Sequence, residues 1–157
     1  MLSDVKKVRH PEGIVGYIER NTWAQMIASL GGGIMYFAIV LPQLATRPID
    51  EIGWIAPMLW TIGGAIVVSI AVSILWGIVA GMVNRDDASA SDQRDREIGW
   101  LGDRVGQAFL VLGGVGALAL VMLDAHRFWI GNALFLGFLL SALLGGLARL
   151  IAYRRGF

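Results

Sequence analysis

The chain contains no cysteine, which excludes disulfides, zinc–thiolate sites, iron–sulfur clusters and thiol nucleophiles together. Charge is scarce as well. Asp, Glu, Lys and Arg make up 16% of the 157 residues, against about 25% in an ordinary soluble domain. The net charge of +1 leaves neither a strongly basic face for nucleic acid nor an acidic tail. The two histidines, His10 and His126, fall on opposite sides of any membrane the chain crosses, so paired axial haem ligands are not available within one chain. No G-x-S-x-G, Walker or dinucleotide-binding pattern occurs. No catalytic residue, cofactor or metal is therefore expected.

Apolar residues account for 56% of the chain, more than a soluble domain of this length can hide from water. Charge-free stretches run from Asn21 to Thr46, Ile52 to Asn84, Val105 to Leu123 and Phe128 to Ala148. A hydrocarbon core of roughly 30 Å needs about 20 helical residues. Each stretch meets or nearly meets that length, and the second exceeds it, so it should tilt or project beyond the bilayer. Short alternating segments of the β-barrel kind are absent. The expected fold is an all-α membrane protein with four transmembrane helices.

Eleven of the 13 basic residues lie in the N-terminal arm, the middle connection and the C-terminal end; only Arg47 and Arg127 lie in the other two connections. Basic residues are retained on the cytoplasmic side, so both termini and the middle connection are expected there. That places the chain in the bacterial cytoplasmic membrane, N-in and C-in. Trp23, Trp100 and Tyr153 fall near the inner edge, Trp54 and Trp129 near the outer one, as amphipathic rings prefer. The arm opens with mixed charge, unlike a cleavable signal peptide. Residues 12–20 read either as a lead-in to the first span or as a short helix on the membrane surface.

The halves resemble each other. Gln25, Leu30, Gly31 and Gly32 match Gln107, Leu112, Gly113 and Gly114 at a constant offset, and Trp54-Ile55 matches Trp129-Ile130 once the loop is shortened. The expected arrangement is two parallel-repeat hairpins. In this reading residues 1–20 are a cytoplasmic arm, 21–83 the first transmembrane hairpin, 84–104 a linker turning helical toward Asp95, and 105–157 the second hairpin with its basic tail.

Lipid removes the hydrophobic drive between spans, so small residues must let backbones approach. The second span carries Ala65, Ser69, Ser73, Gly77 and Gly81 at four-residue steps; the fourth carries Ala133, Gly137, Ser141 and Gly145. The first offers Ala24, Ala28 and Gly32, the third Gly102, Gly106 and Gly114. These are the expected packing faces, within one bundle or between copies. Polar residues inside the spans are Gln25, Gln107, Asn132, Thr61 and the serines; an interhelical hydrogen bond from one of them contributes on the order of 1 kcal/mol. No ionisable residue falls at mid-depth, where pumps and proton relays usually have one. His126, beside Asp124 and Arg127, reads as an interfacial polar cluster.

The run DQRDREIGWLGDR, the glycine-rich span after it, FWIGNALF and the ending YRRGF resemble small bacterial membrane proteins of the DUF2178-like type over residues 92–157. The matching positions are Asp92, Arg94, Asp95, Ile98, Trp129, Asn132, Tyr153, Arg154 and Arg155. Such proteins often accompany a helix-turn-helix regulator, so the resemblance implies a cytoplasmic regulator as a partner. It carries over no catalytic residue. The function expected is non-enzymatic: an accessory subunit of a membrane complex, or a membrane-bound regulator, working through contacts with another membrane protein, a second copy or a regulator. Arg94, Arg96, Arg154 and Arg155 are the candidate docking residues, expected to face Asp92, Asp95, Glu97 and Asp103. The alternative is a small transporter or channel with a path lined by Ser, Thr, Gln and Asn.

Overall fold

The computed structural model describes residues 12–82 and 88–155, with side chains throughout except at 12–21, 73, 76, 77, 79–82 and 88–95. The architecture is helical: α1 (Glu12–Thr46), α2 (Ile55–Met82), α3 (Ala88–Met122) and α4 (Arg127–Arg155), with a 3-10 turn at Ile49–Glu51 and no strand among the described residues. All four helices are long and apolar enough to cross a membrane. The α1–α2 and α3–α4 connections lie together at what we call the turn end; α1 begins and α4 finishes at the terminal end.

Burial runs opposite to that of a water-soluble bundle. Tyr36, Val40 and Phe128 are buried, whereas Ile34, Ile66, Val111 and Leu118 are exposed, and the Ile55–Val72 stretch of α2 buries nothing. An exterior this apolar needs lipid as its solvent. The chain is a membrane protein.

Two helices run further than the charge-free stretches. α1 continues through Arg20 without a break, joining the arm's helical segment to the first span. α3 starts at Ala88 rather than toward Asp95. No glycine or proline interrupts 88–98, so once the span fixes a helix it propagates back through the polar stretch.

Pro42 sits inside α1 and lacks the N–H that the Ala38 carbonyl would accept. Neighbouring side chains serve this weakened turn. Gln43 Nε2 donates to the Ile39 carbonyl at 3.0 Å, and Thr46 Oγ1 to the Pro42 carbonyl at 3.0 Å. Gln43 Oε1 also accepts from the Gly53 N–H at 3.0 Å, tying the α1–α2 connection back onto its helix. α3 ends differently. The Ala125 N–H reaches the Leu120 carbonyl at 2.9 Å and the Asp124 N–H the Val121 carbonyl at 3.0 Å, with Asp124 at φ 54°. This is a Schellman motif with an aspartate in the left-handed position that glycine usually takes.

α4 is the central helix and uses two faces. One meets α3 backbone to backbone: a Cβ built on Gly113 would lie 2.6 Å from the Gly137 Cα, and one on Gly145 would lie 2.9 Å from the Gly102 carbonyl. Gly106 meets Ser141 in the same way, at 3.1 Å. The other face receives α1. Met26 lies on Gly146, Leu139 of α4 fills the space over Gly33, and Tyr36 stacks on Phe135 with ring centroids 4.5 Å apart. Along α1 the positions turned inward are Thr22, Met26, Ser29, Gly33, Tyr36 and Val40, alternating steps of four and three as left-handed helix pairs do. α2 rests chiefly on α1.

Gly114, placed by its four-residue spacing on the α3 packing face, has nothing within 4 Å of a Cβ; Gly113 makes the contact instead. Four residues turn a helix by about 400°, so a run of fours drifts about 40° per step and leaves the seam. A three-residue step restores it.

Candidate functional site

α2 leans on α1 and α3 on α4, and a cleft with two joined lobes lies among the four helices on the terminal side of the aromatic cluster. The first, about 440 Å³, is the more polar of the two, with Thr22, Gln25 and Ser29 from α1, Ser69 from α2, Asp103 and Gln107 from α3, and Ser141 and Arg149 from α4 set among alanine, valine and methionine. It reaches from the terminal end to Ser141, the central residue of the Arg127–Arg155 span. The second, about 480 Å³, continues toward the turn end and is apolar, walled by Ile62, Ile66 and Ile70 of α2 and by Phe135, Phe138 and Leu139 of α4. Ala28, Ser29, Ala65, Ser69 and Ala142 border both lobes, so the two form one space.

An ion pair stands at the mouth. Arg149 donates from Nη2 to Asp103 Oδ1, while its Nε is buried against Gly102 without a partner. The Asp103 side chain is 60% exposed, which makes the pair weak as a source of stability, on the order of 0–1 kcal/mol. It is well suited to presenting both signs of charge to a ligand. Deeper in, no described residue hydrogen-bonds the Gln25 or Gln107 amide or the Ser29 or Ser141 hydroxyl. In lipid such groups need a partner, and open space beside them supplies room for one.

The turn end is closed. Tyr36, Val40, Ile52, Phe128 and Phe135 form a buried cluster, flanked by Phe37, Trp54 and Met58. Tyr36 Oη donates to Asn132 Oδ1 at 2.8 Å, and Asn132 Nδ2 donates to the Phe128 carbonyl at 2.8 Å, so both residues are satisfied inside the apolar plug. Trp54 meets Phe128 edge-on at 6.0 Å and lies directly over Gly131, where a Cβ would come within 2.6 Å of the ring. Outside the plug, His126 Nδ1 accepts from the Phe128 N–H at 3.2 Å. Its Nε2 therefore carries the proton and donates to Asp50 Oδ1 at 2.9 Å, linking the two connections.

The residues singled out from sequence divide among these features. Gly137, Ser141 and Gly145 lie on the α3 seam, with the Ala133 carbonyl beside Gly113. Ala65 and Ser69 are exposed and line the cleft. Ser73, Gly77, Gly81 and Arg94 lie outside the described side chains. Arg96, Arg154 and Arg155 are exposed at the terminal end. Asp103, expected to face this group, pairs with Arg149 instead, because the Gly102–Gly145 approach sets those two side chains side by side. Of the repeat-matched pairs, Gln25 and Gln107 share the polar lobe, whereas Trp54 is wedged in the plug and Trp129 is exposed.

Sequence reasoning missed Tyr36, the Asp50–His126 link and the Asp103–Arg149 pair. Tyr36 carried a signal: a tyrosine deep in a span needs a hydroxyl partner, and Asn132 was the available amide. The two ion contacts join distant segments and had no local sign. No family model matches the chain, and neither a curated protein nor a solved structure matches it.

Proposed function

We propose that the chain is a multi-pass protein of the bacterial cytoplasmic membrane, with both termini and the middle connection in the cytoplasm, that works through contacts with other proteins. It would be an accessory subunit of a membrane complex or a membrane-bound regulator. The charge distribution supports the orientation, and the shared lobe around Gln25 and Gln107 supports the parallel-repeat arrangement. One observation carries the docking reading: the locked α3–α4 hairpin holds exposed Arg96, Arg154 and Arg155 at one end. Rim charges of this kind set partner choice and approach more than affinity.

The test is purification of the tagged chain from native membranes in mild detergent, comparing wild type with Arg154→Glu/Arg155→Glu and with Arg94→Glu/Arg96→Glu. Each pair should weaken recovery of the same partner chains while insertion survives. Unchanged recovery with both variants removes this surface from consideration.

The cleft favours a second reading, a small transporter whose path is lined by Ser, Thr, Gln and Asn. The aromatic plug would then be the closed gate of a terminal-end-open state. Uptake or efflux in proteoliposomes that changes when Tyr36 and Phe135 are both replaced by alanine would select it.

A further inference from the structure

We propose that the two-lobed cleft binds one membrane phospholipid with a zwitterionic head, the head in the polar lobe and one acyl chain in the apolar lobe. The site goes beyond partner docking and does not depend on which side of the membrane it opens.

The polarity of the space changes once along its length, as it does along a lipid. Hydroxyl and amide side chains, with a charged pair, occupy the end near the helix termini; isoleucine, leucine and phenylalanine occupy the part that continues toward the turn end. The sequence order matters here. On α1, Gln25 and Ser29 precede Gly32 and Gly33, and on α4, Leu139 precedes Ser141 and Arg149, so both helices turn polar toward the terminal end. α2 stays apart from α4 on one side, because it rests chiefly on α1, and the gap between Ile62–Ile70 and Phe138–Leu139 faces the bilayer. A chain can enter there sideways while its head slides into the polar lobe.

The head's charge follows from the mouth. Among the described residues, Asp103 and Arg149 are the only ionisable ones lining the space, one of each sign and in contact. A purely anionic head would gain Arg149 but meet the Asp103 carboxylate. A head with an ammonium and a phosphodiester meets complementary charge on both: the ammonium donates to Asp103, the phosphate accepts from the guanidinium donors not directed at Asp103. Gln25 and Gln107, without partners among the described residues, can hydrogen-bond the phosphate and ester oxygens.

The experiment uses the purified full chain in mild detergent, delipidated by extended washing. It is titrated with phosphatidylethanolamine, phosphatidylglycerol or diacylglycerol of identical acyl chains, and bound lipid is read by native mass spectrometry and by the shift in thermal midpoint. Phosphatidylethanolamine should bind one to one and about tenfold more tightly than the other two, a difference that charge complementarity can supply. Asp103→Asn keeps an oxygen for Arg149 but removes the anion, and should bring phosphatidylethanolamine and phosphatidylglycerol within about twofold of each other. Ala28→Phe, or Ser69→Phe from the opposite wall should the first not fold, fills the junction of the lobes and should weaken phosphatidylethanolamine by about tenfold. Equal binding of the three lipids, a preference that survives Asp103→Asn, or binding that ignores a filled junction overturns the proposal.

Discussion

Gly113 and Gly137 meet across α3 and α4 so closely that each occupies the space the other's side chain would need: a Cβ on Gly137 would stand 2.8 Å from the Gly113 Cα. No flexible side chain lies between them to move aside. Gly137→Ala should therefore push the two helices apart and destabilise the protein by about 1–3 kcal/mol, the usual range for overpacking. Gly114→Ala, one residue from the seam with open space around it, serves as the control and should change stability by less than about 0.5 kcal/mol. The check is the thermal midpoint of both variants in the same detergent; similar losses would refute the seam.

Tyr36→Phe keeps the ring packed on Phe135 and removes only the hydroxyl that Asn132 accepts from. The expected loss is about 1 kcal/mol, in line with interhelical hydrogen bonds in membranes. Asn132→Leu breaks the same bond from the other side. A double-mutant cycle should show coupling of the same size, and additivity would mean the bond contributes nothing.

Asp124 holds a left-handed backbone at the end of α3. Asp124→Gly relieves that strain while leaving the Schellman hydrogen bonds intact, and should stabilise by about 0.5–1 kcal/mol. A fall in the thermal midpoint would show that the carboxylate itself stabilises the end of α3.

Orientation is open to a direct test. Cysteines replacing Ala45 and Asp50 should react with an impermeant thiol reagent in intact cells, and one replacing Arg96 should react only after the membrane is opened. The chain's own lack of cysteine keeps the background clean. The opposite pattern would invert the proposed topology.

The helices were readable in the sequence because lipid demands uninterrupted apolar length, and length is a local property. The start of α3 was not, since a helix fixed by the membrane can extend through a polar segment lacking glycine or proline, as at Ala88–Ile98. Packing faces were half readable. Gly137, Ser141 and Gly145 stay on the seam over two turns, but Gly114 does not, because a seam between twisting helices alternates threes and fours. The sequence offered the polar residues of the cleft but not their convergence. Gln25, Gln107 and Arg149 look like scattered interfacial polarity until α2 is known to stand away from α4.

Trp54, pressed onto Gly131 beside Phe128, holds α2 at its turn end, while the rest of that helix has little to lean on except α1. Mechanically, α2 is a lever with its fulcrum at one tip. Its 28 residues make an arm of about 42 Å, so a rotation of about 5° at the tryptophan carries the far tip through about 4 Å. Shaving or enlarging one indole ring at the turn end is thus amplified into a change of aperture on the other side of the bilayer, with the α3–α4 and α1–α4 contacts left in place.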